Sequence, residues 1–156
     1  MPYAAFHKWY PKVAEQETRC VTILPGSPWN LPPAHYSLLE MYCDEPGCDC
    51  RRVFLAVLSS LTKQIEAVIA YGWEDPNFYR EWMGDDDPDV IKELKGPVLN
   101  MASPQSRLAP EILDMVQKIV LTDQAYVDRL KRHYELFRKR VEQKTRRKPS
   151  RKKRKA

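Results

Sequence analysis

Two connections near the middle of the chain are too short to cross a sheet, and they constrain the fold more than any other feature. The segments CDEPGCDC (43–50) and SSLTK (59–63) separate three stretches with the composition of β-strands, at 36–43, 51–58 and 63–71. Parallel strands need a crossover of about a dozen residues or more, whereas connections this short join antiparallel neighbours. The sequence therefore predicts an antiparallel β-meander.

The side-chain pattern within these stretches agrees with strands. Tyr36, Leu38, Glu40 and Tyr42 alternate with the residues between them and so share one face of a strand. The stretch 51–58 is apolar on both faces after its two arginines, which is typical of a central strand. A further β-rich segment at 18–24 brings the predicted sheet to three or four strands.

The residues after Gly72 change to helical patterns. Asp75-Pro76 and Asp87-Pro88 each place a capping residue before a proline at the first helical position. Two longer helices are predicted at about 108–120 and 123–144. In the last helix one apolar stripe recurs at helical spacing, formed by Tyr126, Leu130, His133, Phe137 and Val141. The fold class is therefore α+β, a β-meander followed by a helical C-terminal half.

Charge divides the chain at its C-terminal end. Residues 144–156 contain nine Lys or Arg and no acid, whereas residues 1–143 hold 17 basic and 21 acidic groups, a net charge of −4. So many like charges without an apolar anchor cannot offset the entropy of ordering. The sequence predicts a single α+β domain over 1–143 and a disordered basic tail over 144–156.

Three cysteines crowd the tip of one predicted hairpin. Cys43 ends one strand, Cys48 and Cys50 come just before the next, and Pro46-Gly47 suits the centre of a type II turn between them. Thiolates about 2.3 Å from a tetrahedral zinc ion are a familiar structural ligand set. We predict a zinc-knuckle-like hairpin at 43–50, with three cysteines packed without metal as the alternative.

The fourth ligand must come from elsewhere in the chain or from solvent. We predict His133, because it would tie the last helix to the sheet. Cys20, His35, Asp44 and water remain as alternatives. His35 lies eight residues before Cys43, about 26 Å along a strand, which weakens its case.

No catalytic signature accompanies the cysteines. The chain lacks the zinc-deaminase motif, a Gly-rich phosphate loop, a G-x-S-x-G elbow and an HExxH helix. No segment has the composition of a signal peptide or a membrane helix, so a reducing, cytoplasmic location is expected, or a nuclear one in a eukaryote. These features favour a non-enzymatic protein over an enzyme of unknown class.

The basic tail predicts a polyanionic partner, either DNA or RNA bound without sequence preference or an acidic protein surface. Lysine and arginine neutralise phosphates and release counterions, which provides sequence-independent affinity. The alternative is a protein–protein interaction module with a structural zinc and a merely solubilising tail. The residues predicted to contact nucleic acid are Arg146, Arg147, Lys148, Arg151, Lys152, Lys153, Arg154 and Lys155.

Overall fold

The computed structural model describes residues 3–147, which form an antiparallel sheet with helices packed against it. The sheet order is β1-β3-β4-β5-β6, and β2 pairs with β3 beside β1. The strands are β1 (Tyr3–Ala5), β2 (Cys20–Ile23), β3 (Ala34–Cys43), β4 (Arg52–Ser59), β5 (Ile65–Gly72) and β6 (Val98–Leu99). The α+β fold class predicted from the sequence is confirmed.

The predicted meander is the centre of this sheet. Strands β3, β4 and β5 pair in antiparallel order, with Met41 opposite Phe54 and Val53 opposite Tyr71. Strand β2 also lies where the sequence placed it. The sheet is larger than predicted because the short strands β1 and β6 pair with β3 and β5. Both have only two or three residues, too few to show a period-two pattern.

The helices cover most of the predicted helical half and also the N-terminal region. Their bounds are α1 (Phe6–Trp9), α2 (Pro11–Glu17), α3 (Pro76–Met83), α4 (Pro88–Lys95), α5 (Ala109–Met115) and α6 (Gln124–Arg147), and a π-helical turn (Val116–Val120) continues α5. Asp75 and Asp87 cap α3 and α4 with their side chains, as predicted. Within residues 3–147, no helix combines the length and apolar character needed to cross a bilayer.

Helix α6 is longer than the sequence indicated, which moves the boundary of the basic segment. The helix continues through Lys144 and ends at Arg147, so residues 144–147 belong to it and not to a disordered tail. The remainder of the predicted tail, 148–156, lies outside the described residues. Lysine and arginine have good helix propensity, so the basic run does not by itself stop the helix.

The two faces of the sheet have different environments. One face carries Tyr36, Leu38 and Tyr42, all fully buried against α1, α2, α5 and α6 in the main core. The apolar stripe predicted for α6 is buried in this core along its whole length. The other face holds a smaller apolar cluster around Phe54 and Ala70. The cysteine hairpin joins β3 to β4 at the end of the sheet over which the C-terminal half of α6 passes.

Candidate metal centre

The hairpin tip between β3 and β4 is a tight turn of the predicted type. The backbone N–H of Cys48 donates to the carbonyl of Glu45 at 3.2 Å, closing a four-residue turn with Pro46 and Gly47 at its centre. Gly47 has φ +75°, the left-handed value that a type II turn requires at this position. The turn reverses the chain and brings Cys48 back towards Cys43.

The three predicted cysteine ligands converge at this tip. The Sγ atoms of Cys43, Cys48 and Cys50 all lie within 4.8 Å of one another. Cys43 and Cys50 are buried and Cys48 is half-buried; all three are free thiols. Thiolates bound to one tetrahedral zinc are about 3.8 Å apart, given bonds of about 2.3 Å. The cluster could therefore hold a metal ion after a small contraction.

Two groups from the hairpin and β1 approach the sulfur atoms. The backbone N–H of Glu45 donates to Cys43 Sγ at 3.4 Å. The hydroxyl of Tyr3, in the strand beside Cys43, lies close to Cys50 and accepts a hydrogen bond from Arg52 at 3.3 Å. Donors placed beside sulfur stabilise thiolates and orient metal ligands. Burial raises the pKa of Tyr3, so its hydroxyl stays protonated and able to donate.

The surroundings of the thiols disfavour thiolates in the absence of a cation. Burial, together with the neighbouring Cys50 and Cys43, raises the pKa of Cys48 to about 12. Burial and the neighbouring Cys43 also raise the pKa of Cys50. Three thiolates within contact distance repel one another, and a bound cation offsets that repulsion. Metal binding at this tip therefore releases protons.

Arg138 of α6 fixes the hairpin tip from the opposite side. Its guanidinium donates to the carbonyl of Cys43 at 3.1 Å and to the carbonyl of Glu45 at 2.8 Å. One turn further along α6, Glu142 accepts from the backbone N–H of Gly47 at 2.9 Å. The turn that carries the cysteines is thus attached to the last helix by contacts to its backbone.

A second set of contacts holds the return of the hairpin into β4. The hydroxyl of Tyr134 in α6 donates to Asp49 Oδ1 at 2.8 Å and accepts from the backbone N–H of Arg51 at 3.2 Å. Arg51, which has φ +49°, also forms ion pairs with Asp49 and Glu74. These contacts fix the backbone conformation on both sides of Cys50. The residues that make them are not cysteines: Tyr134, Asp49, Arg51 and Glu74.

The structure does not bring His133 to the three cysteines, which corrects the predicted fourth ligand. His133 is fully buried, and both ring nitrogens already have partners. Its Nδ1 lies 2.6 Å from Glu40 Oε1 and its Nε2 lies 3.0 Å from Glu17 Oε1. Glu40 also accepts from the hydroxyl of Tyr42 at 2.7 Å. His133 thus ties α6 to the sheet as predicted, but through carboxylates and not through a metal.

The other candidates for the fourth ligand also lie outside the cysteine group. Cys20 is exposed on β2, opposite Ser37, six residues and about 20 Å along β3 from Cys43. His35 Nδ1 is bonded to the hydroxyl of Thr22 at 2.8 Å. Asp44 adjoins the cluster in sequence but is not a member of it. Among residues 3–147, the cysteines form a group of three.

The residues predicted to contact nucleic acid fall mostly beyond the described range. Arg146 is exposed near the end of α6, and Arg147 is the last residue of that helix. Lys148, Arg151, Lys152, Lys153, Arg154 and Lys155 lie outside the described residues. The basic segment therefore starts on the same helix that anchors the cysteine hairpin.

Sequence reasoning missed the residues that position the cysteine hairpin. Tyr134 and Arg138 each come one residue after a member of the apolar stripe of α6, His133 and Phe137. At these positions a polar side chain can reach the end of the sheet. Glu40 shares the core-facing side of β3, and His133 lies on the core-facing stripe of α6. An acid on a strand face shared with Tyr36, Leu38 and Tyr42, and a histidine in the apolar stripe of a helix, were the signal for a buried pair, because buried charges require partners.

Comparison with known proteins identifies no relatives. No family model matches the chain, and neither the curated proteins nor the solved structures contain a significant match.

Proposed function

We propose that this chain is a small, zinc-stabilised, non-enzymatic accessory protein that binds nucleic acid, without sequence preference, through its basic C-terminal segment. The observation that carries the zinc site is the convergence of three sulfur atoms within 4.8 Å at one hairpin tip. The observation that favours the partner is the run of nine basic residues without an acid over 144–156.

Zinc is the metal that this ligand set favours in a reducing compartment. Thiolate ligands select soft or borderline cations, and zinc takes tetrahedral sulfur sites without redox chemistry. The contacts of Arg138 and Glu142 to the hairpin backbone couple the site to α6. A metal held here would therefore stabilise the hairpin and the docking of the last helix together.

The charge distribution favours the binding of a polyanion on the side of the molecule that carries α6. This helix carries nine Lys or Arg against three Asp or Glu, whereas residues 74–95, in and around α3 and α4, carry three against eight. α6 packs on the main-core face of the sheet, and α4 contributes Val90 and Leu94 to a groove beside Phe54 on the other face. A phosphate backbone would be attracted to the first side and repelled from the second.

The competing proposal is a protein–protein interaction module in which the basic segment only improves solubility. It is favoured by a surface groove of about 390 Å³ lined by Phe54, Met83, Leu94, Val98 and Met101. Met101 is 83% exposed and Met83 44% exposed, which is unusual for large apolar side chains. Methionine-rich grooves are adaptable protein-binding surfaces.

The two proposals differ in what the basic segment does. We would neutralise Arg151, Lys152, Lys153, Arg154 and Lys155 to glutamine in the full chain and measure binding to labelled duplex DNA and RNA by fluorescence anisotropy across a salt series. The matched control neutralises five exposed basic residues elsewhere, Lys8, Lys12, Lys92, Arg107 and Lys118. If three to six phosphates are neutralised, a fourfold rise in salt weakens binding about 40- to 2,000-fold.

The expected result is that the C-terminal variant loses most of its affinity and most of its salt dependence, while the control loses little. Equal losses in the two variants would mean that net charge alone, and not the C-terminal segment, attracts nucleic acid. The absence of binding by the unmodified chain at low salt would favour the interaction module.

A further inference from the structure

The chain offers an incomplete set of ligands for a tetrahedral metal. It contains three histidines and four cysteines, and residues 1–2 and 148–156 contain no His, Cys, Asp or Glu. Every ordinary metal ligand of the chain therefore lies within the described range. The group that could hold a metal there has three members, Cys43, Cys48 and Cys50. A fourth protein ligand would have to come from a side chain that is now bound elsewhere or directed elsewhere.

The alternatives nearest in sequence are committed to other contacts. Asp49 lies between two of the cysteines, but its carboxylate accepts from Tyr134 at 2.8 Å and from Arg51 at 2.9 Å. The neighbouring Asp44 and Glu45 are not members of the cysteine group.

Solvent reaches the cysteine group on one side. Cys48 is half-buried, whereas Cys43 and Cys50 are buried. Cys48 lines a surface groove of about 340 Å³ between the hairpin and α6, which is large enough for water and for small organic molecules. A ligand can therefore approach the metal position from the side of Cys48.

We propose that a metal ion bound by Cys43, Cys48 and Cys50 keeps one coordination position open to external ligands, and that a small thiol occupies it. This inference rests on the zinc site proposed above, and it makes that site an open one with three protein ligands. Structural zinc sites are closed by four protein ligands, whereas sites with three protein ligands hold water or an exchangeable ligand in the fourth position. The hairpin would then be a thiol-accepting metal centre.

A thiol is the ligand class that this site prefers. Three thiolates make the metal environment soft, and a fourth sulfur completes the all-sulfur tetrahedron found in one class of structural zinc sites. In the exchange the metal–oxygen bond to water breaks, the metal–sulfur bond to the thiol forms, and the S–H proton passes to solvent. No electron is transferred and no other reactant is needed.

The test is zinc X-ray absorption spectroscopy on the full, untagged chain, loaded with one equivalent of zinc in a phosphine reductant free of thiols. The expected first shell is three sulfur atoms at about 2.3 Å and one oxygen or nitrogen at about 2.0–2.1 Å. Addition of excess 2-mercaptoethanol should raise the sulfur count from three to four. Washing out the thiol should restore the original shell.

Two variants identify the source of the fourth ligand. Asp44→Asn and Cys20→Ser should both show the same change from three to four sulfurs, because neither residue belongs to the site. The proposal is overturned if the unmodified chain shows four sulfurs before thiol is added, or if thiol leaves the shell unchanged. It is also overturned if sedimentation shows a zinc-dependent dimer that supplies the fourth ligand. A chain that binds no zinc would instead remove the zinc site itself.

Discussion

The cysteine tip (Cys43, Cys48 and Cys50) and the His133 cluster (His133, Glu40 and Glu17) are two polar sites that lie against α6. They are built in opposite ways. Cys43, Cys48 and Cys50 come from eight consecutive residues, and among the described residues their thiols receive one hydrogen bond, from the backbone N–H of Glu45 to Cys43 Sγ at 3.4 Å. His133, Glu40 and Glu17 come from α6, β3 and α2, and they form hydrogen bonds with one another and with Tyr42 and Arg132. A group is free to bind a ligand only when its donors and acceptors are not already used. By that criterion the cysteine tip can take a metal and the histidine cluster cannot.

The largest effect is expected from removing the histidine. His133→Ala leaves Glu40, whose side chain is 3% exposed, as a buried carboxyl group without its hydrogen-bond partner on α6. Breaking one side of a buried pair costs about 3–5 kcal/mol. The free energy of unfolding from urea titration should fall by that amount, while zinc content stays unchanged. His35→Ala, at an exposed histidine, is the control and should cost less than about 1 kcal/mol. Similar losses in both variants would contradict a buried pair.

The next effect is on metal-dependent stability. Cys48→Ser removes one of three sulfur ligands, so the chain should lose the stabilisation that zinc provides. That stabilisation is about 3 kcal/mol when free zinc exceeds its dissociation constant 100-fold. A chelator should lower the melting temperature of the unmodified chain to that of Cys48→Ser, and should not affect the variant. The exposed Cys20 provides the control, because Cys20→Ser should respond to the chelator like the unmodified chain.

Arg138 anchors the cysteine hairpin to α6, the helix that also carries His133, and is expected to have an intermediate effect. Arg138→Lys keeps the charge but cannot donate to the carbonyls of Cys43 and Glu45 together. The loss should be about 1–2 kcal/mol in unfolding free energy, with weaker zinc binding because the turn is less firmly held. Arg146→Lys, at an exposed position of the same helix, should change neither quantity. Unaltered zinc affinity in Arg138→Lys would show that the tip is organised without α6.

The smallest effect concerns Glu17, at the outer edge of the histidine cluster. Its pKa is lowered, chiefly by the hydrogen bond with His133. A carboxylate whose pKa is lower in the folded state stabilises the protein above its unfolded pKa, and that stabilisation is lost as pH falls through the folded value. Glu17→Gln should cost less than about 1 kcal/mol at pH 7 and should flatten the acid limb of the stability curve. Glu15→Gln, exposed on the same helix, should leave that limb unchanged.

The same difference between local and distant contacts explains what the sequence could predict. Short spacings in the sequence were enough to predict the meander, the Asp75 and Asp87 caps and the cysteine tip. At the tip, for example, the turn at Pro46-Gly47 determines where Cys48 lies. The partner of His133 depends on how α6 crosses the sheet, 93 residues away from Glu40 in sequence. Burial of each residue could be predicted separately, but not which buried acid meets which buried base.

The prediction for the last helix failed for a related reason. The sequence ended it near Lys144 because so many like charges without an apolar anchor cannot offset the entropy of ordering, yet the helix continues to Arg147. Lys144 lies 4.2 Å from the centre of the Trp9 ring, and Thr145 donates to the carbonyl of Val141 at 3.1 Å. Packing of one cation on an aromatic ring helps to stabilise the added turn. Trp9 comes from the opposite end of the chain, so spacing within the helix could not indicate this contact.

The most direct test of the account is the zinc content of three full-length chains, each expressed with zinc available and measured by elemental analysis after gel filtration. The account predicts about one zinc per chain for the unmodified protein, about the same for His133→Ala that remains folded, and far less for Cys48→Ser. Zinc in the unmodified chain that is lost equally from both variants would make His133 a ligand after all. An unmodified chain without zinc would contradict the metal centre itself.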